Sequence, residues 1–87
     1  MNAIKVRVTR EHIQRGARGV PSRCPVAYAV RSEGFADVVV LDGTVDWFDP
    51  KFHCVTQPRA VRRFIARFDA GKPVKPFTFM LRTEPPP

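Results

Sequence analysis

Apolar and polar positions alternate with period two over residues 4–8, IKVRV, which predicts a half-buried strand with Ile4, Val6 and Val8 facing inward. Thr9 suits an N-cap, Glu11 falls where the helix dipole favours a carboxylate, and Gly16 can close the turn, so EHIQR predicts a short helix. A basic loop follows in GARGVPSR. The next helix is predicted from CPVAYAVRSEG: Ser22 or Cys24 can cap it, Pro25 is tolerated in its first turn, Val26, Ala29 and Val30 form an apolar stripe, and Gly34 ends it. Residues 35–41, FADVVVL, predict a strand buried on much of both faces. Asp42-Gly43 is the strongest hairpin signal in the chain, so TVDWF should return antiparallel beside it. Asp49-Pro50 predicts a second turn and FHCV a further short strand.

A last helix is expected to open with Pro58 at its first position and to close at Gly71, with Val61, Phe64, Ile65 and Phe68 at helical spacing. FTFMLR then alternates again, with Phe77, Phe79 and Leu81 on one face of a final strand. The fold class expected from this order is α+β: a small single-layer mixed or antiparallel sheet with two to three helices packed on one face. Residues 1–83 form one such domain, and residues 84–87 are expected to be a disordered Pro-rich tail.

The 87 residues suffice for one modest core. No apolar run approaches a membrane span and the first residues lack a signal-peptide pattern, so the expectation is a soluble, cytoplasmic protein without a membrane partner. A deep cleft, and hence a small-molecule substrate, is not expected. Two cysteines, Cys24 and Cys54, could be bridged in principle; reduced, half-buried thiols fit a cytosolic chain better.

Net charge is +7 and unevenly spread. Residues 1–31 carry seven basic and one acidic side chain, residues 32–58 one and five, and residues 59–87 seven and two. Eleven of the fifteen basic residues are Arg, the side chain suited to bidentate phosphate or carboxylate contact, although a GC-rich genome also favours Arg codons.

Three blocks carry a resemblance: VTREHIQRG after the first strand, CPVAYAV at the second helix, and the closing run FDAGKPVKPFTFML. Together they resemble short uncharacterised accessory proteins encoded by tailed phages and prophages of high-GC bacteria. The resemblance implies an accessory protein expressed in the host cytoplasm with no established reaction; binding to host machinery is expected by analogy with the size and origin of such proteins. It carries over no catalytic residue, and residues 36–56 lie outside it.

Candidate chemistry is sparse. His12, Cys24, His53 and Cys54 are ligand types without zinc spacing, and neighbours His53 and Cys54 would point to opposite faces of a strand, so no metal site or other cofactor is expected. Cys24 at a helix start beside Arg23 could be an activated thiol with His12 as base, or a small apolar packing residue. No catalytic residue is assigned and the protein is not expected to be an enzyme. Asp37, Asp42, Asp46 and Asp49 make the middle acidic; two sit in turns, next to Gly43 and Pro50. Trp47 and Phe48 are either core residues or, if one projects outward, an aromatic anchor which with Asp46 and Asp49 would make a partner-binding tip.

The last helix offers more. At about 100° per residue, Val61, Phe64, Ile65 and Phe68 span an arc of about 100°, while Arg59, Arg62, Arg63 and Arg67 span about 140° on the opposite side. Like charges three or four residues apart each cost roughly 0.2–0.5 kcal/mol, and only Asp69 stands ready to compensate. The site expected is therefore an anion- or nucleic-acid-binding face on Arg59, Arg62, Arg63 and Arg67, extended by Arg15, Arg18 and Arg23 of the first basic segment. Its partner would be nucleic acid or an acidic host protein; the alternative is a protein-interaction module that inhibits a host or defence complex through the acidic hairpin and Trp47.

Overall fold

A computed structural model describes residues 3–48 and 51–82. It is an α+β fold in which five strands form two small antiparallel sheets, a two-stranded sheet of β1 and β5 and a three-stranded sheet of β2, β3 and β4, accompanied by three helices. The expectation of one sheet thus resolves into two. Asp49 and the tail from 84 onward lie outside the described residues. No helix among those described is long and apolar enough to cross a membrane.

Strand β1 (Ala3–Val8) pairs with β5 (Phe77–Arg82) in a register that sets Ile4 opposite Leu81, Val6 opposite Phe79 and Val8 opposite Phe77. The two alternating patterns therefore share one inner face, and Val6, Val8, Phe79 and Leu81 are buried. After β1 comes α1 (Arg10–Arg15), started by Thr9. Its hydroxyl accepts from the His12 N–H, and the His12 Nδ1 accepts in return from the Thr9 N–H at 3.0 Å, so histidine takes the place usually held by Glu or Gln in a capping box. Gly16 closes α1 because nothing larger fits: a Cβ there would lie 2.6 Å from the Pro25 ring.

Helix α2 (Pro25–Arg31) is capped by Cys24, whose Sγ accepts from the Ala27 N–H at 3.4 Å, and its apolar stripe of Val26, Ala29 and Val30 is fully buried. This helix contacts both β1 and β2 and so bridges the two sheets. Of the expected strand over 35–41, only β2 (Val39–Leu41) pairs. Asp37 takes a left-handed φ of 51° and bends the chain before it, and Leu41 is exposed, so this segment is not buried on both faces. The hairpin forms as predicted: Leu41 pairs with Thr44 across Asp42-Gly43, leading into β3 (Thr44–Phe48), which also pairs with β4 (Phe52–Thr56).

Helix α3 (Arg59–Asp69) begins one residue later than expected, with Pro58 as its cap rather than its first helical residue. Val61 and Phe64 are buried and Ile65 and Phe68 pack against the core, where Phe64 meets Phe77 at 4.8 Å. Its end is a Schellman motif: Gly71 at φ 77° donates to the Phe68 carbonyl and Lys72 to that of Arg67.

A candidate anion-binding surface on the last helix

The apolar stripe of α3 faces the core, so helix geometry turns its arginines outward, and all four are exposed. Their environments differ. Arg59, Arg62 and Arg63 make no hydrogen bond or ion pair among the described residues, whereas Arg67 donates from Nε and Nη2 to the Pro73 carbonyl at 3.3 and 3.1 Å. That contact staples the chain leaving the helix back onto its last turn. Arg67 is thus a fastening residue, and three free guanidinium groups remain on the face.

The first basic segment meets the far end of this helix. Asp69, the one acid of α3, accepts from the Gly19 N–H at 3.0 Å, and the Arg18 guanidinium lies beside Gly71, 3.4 Å from where a Cβ there would sit. The compensating carboxylate is thereby spent on docking the loop, and the loop brings Arg18 to the C-terminal end of the helix, where the dipole favours a cation. Arg23 is exposed on the same loop, held by backbone bonds between Ala17 and Arg23 and between Arg23 and Val20.

Arg15 belongs to a different cluster. It pairs with Glu11 at 3.6 Å and lies 5.5 Å from the centre of the Tyr28 ring, which Arg31 approaches to 5.2 Å. Arg31 in turn donates to the carbonyls of Ser22 and Val38, tying α2 to the segments on either side of it.

Beside Arg62 runs a groove of about 680 Å³ that Arg59 and Arg63 do not line. Arg62 and Asp69 stand on its helical wall, Gly19 and Pro21 on the loop wall, and Asp42 and Gln57 at the hairpin end. Gln57 is buried and donates to the carbonyls of Leu41 and Thr44 while its own N–H reaches the Gly43 carbonyl at 2.9 Å. It locks the Asp42-Gly43 turn, a role that nothing in its sequence neighbourhood signals.

Cys24 lies at the base of this groove. Burial pushes its thiol above the ordinary value, only partly offset by the N–H groups of Ala27 and Val26, and its Sγ accepts from the Ala27 N–H, which favours the packing and capping reading. Both ring nitrogens of His12 have partners: Nδ1 accepts from the Thr9 N–H, and Nε2 lies 3.1 Å from the Ser32 hydroxyl. Cys24 and Cys54 are both free, but one is buried and the other exposed rather than both half-buried. His53 stacks on Trp47 while Cys54 points to the opposite face, and among the described residues no three His, Cys, Asp or Glu side chains gather closely enough to hold a metal ion.

The aromatic tip needs correction. Trp47 is 4% exposed, held between Phe35 and His53, and cannot serve as an outward anchor. Asp46 is 8% exposed rather than part of an acidic rim. Strand alternation does the sorting: with Trp47 inward, Phe48 must point outward, and it is 53% exposed opposite Phe52 at 60%.

Compared with protein-family models, with curated proteins and with solved structures, the chain gave no match.

Proposed function

We propose that this protein is a non-catalytic binding protein whose α3 face contacts the phosphates of nucleic acid. The observation that carries the reading is the set of three exposed guanidinium groups, Arg59, Arg62 and Arg63, without an internal partner, on a helix whose own acid is engaged elsewhere. Their mutual repulsion, about 0.4–1 kcal/mol over the Arg59–Arg62 and Arg59–Arg63 pairs, is relieved by an external anion. Arg18 and Arg23 extend the positive field along the docked loop, and the net charge of +7 favours encounter with a polyanion. Contacts confined to phosphates give affinity with little sequence preference.

The resemblance to phage-encoded accessory proteins gives this reading a setting, the cytoplasm of a bacterial host, where nucleic acid is abundant. Fluorescence anisotropy of labelled duplex and single-stranded oligonucleotides tests it. Binding at low salt that weakens steeply as salt rises is the expected result, and no binding at low salt removes the reading.

A further inference from the structure

The outer face of the three-stranded sheet, away from the core, carries a second surface that the arginine face does not explain. Leu41, Phe48 and Phe52 are exposed on it, and with Val39 and Asp37 they surround a cavity of about 420 Å³. Strand pairing sets Val39, Asp46 and Cys54 side by side in one row of this face. At the centre is Asp46, more than nine-tenths buried, and its Oδ1 has no hydrogen-bond partner. The other contact to its carboxylate is the Cys54 thiol, a weak donor. A buried carboxylate oxygen left without a donor costs free energy that an incoming N–H group recovers.

We propose that this face docks a polypeptide segment that presents an Arg or Lys side chain flanked by apolar residues. The cation would reach Asp46 alongside the Phe48–Phe52 pair, whose rings contact each other at a centroid separation of 6.3 Å one row away, while the flanking side chains cover Leu41 and the outer ring faces. Carboxylate below and aromatic rings beside make an environment in which a cation gains both a charge-assisted hydrogen bond and attraction to the ring faces. Asp37 at the edge adds to the negative field. A second copy of this chain docked face to face would bring together two faces that each carry Asp37 and Asp46, so the charge complementarity points to a different protein. A free amine would leave the exposed leucine and phenylalanines uncovered.

This inference is independent of the reading of the arginine face. Its test is a selection of displayed random-sequence peptides on the full chain at physiological salt, followed by titration of a synthesised selected peptide against wild type, Asp46→Asn and Phe52→Ser. The expected peptides share one Arg or Lys between apolar residues, and their affinity falls about tenfold or more in each variant. Phe52 is exposed, so its variant folds even if Asp46→Asn does not, and circular dichroism checks both. The proposal is overturned by selection of no peptide, by selected peptides that lack a cation, by unchanged affinity in either folded variant, or by a concentration-dependent dimer that Phe52→Ser abolishes.

Discussion

The two exposed faces of this molecule handle charge in opposite ways. On α3 the charges stand in solvent: Arg59, Arg62 and Arg63 are far from the core and have no partner among the described residues, so each keeps its hydration while repelling its neighbours. On the outer face of the β2–β4 sheet a single carboxylate, Asp46, is buried among apolar side chains with one oxygen unpaired. The first arrangement costs little in the free protein and attracts at a distance, as suits a diffuse polyanion. The second costs more in the free protein and acts only on contact, as suits one well-placed cationic group. Charge at a surface thus says little until its burial is known.

The sharpest way to break this contrast is to reverse the exposed charges. Arg59→Glu, Arg62→Glu and Arg63→Glu together are expected to lower oligonucleotide affinity by about a hundredfold or more at low salt, with the melting temperature nearly unchanged because none of the three holds the fold together. Retained affinity would move the proposed contact elsewhere. Arg67 provides the internal control. Arg67→Ala loses two hydrogen bonds to the Pro73 carbonyl and should destabilise the fold by about 1 kcal/mol, read as a lower melting temperature, while changing affinity less than Arg62→Ala does.

On the sheet face the expected sign is opposite. Asp46→Asn removes a buried charge with an unpaired oxygen and should leave stability unchanged or raise it, by up to about 1 kcal/mol in denaturant titration. The smallest effect concerns Cys54. Hydrogen bonding to the Asp46 carboxylate favours the neutral thiol and raises it above its ordinary value, so the folded protein resists deprotonation of Cys54 as pH rises. Asp46→Asn should lower that value and speed alkylation of Cys54 by a few-fold, roughly, at mildly alkaline pH. Cys24, buried and also raised, should react far more slowly in either protein.

Much of the local structure was legible in the sequence because it is set locally. Thr9, Cys24 and Gly71 mark helix ends through cap chemistry that acts within a turn, and Asp42-Gly43 fixes its hairpin for the same reason. The pairing of β1 with β5 was not legible, since nothing local relates Val6 to Phe79 across most of the chain. The same limit applied to the arginine face. Periodicity gave its direction, but the loss of Arg67 to Pro73 and of Asp69 to Gly19 depends on where loops return. At the hairpin the residue types were legible and the strand phase was left open: a one-residue shift decides whether Trp47 or Phe48 faces solvent, and the larger ring took the core.

The most direct test of the central claim is the salt dependence of oligonucleotide affinity for wild type, Arg62→Ala and Asp46→Asn. If α3 meets phosphates, the logarithmic slope for wild type is about −3 on duplex DNA, Arg62→Ala makes it shallower by about 1, and Asp46→Asn leaves it unchanged. A wild-type slope near zero, or one that Arg62→Ala does not alter, would contradict the account.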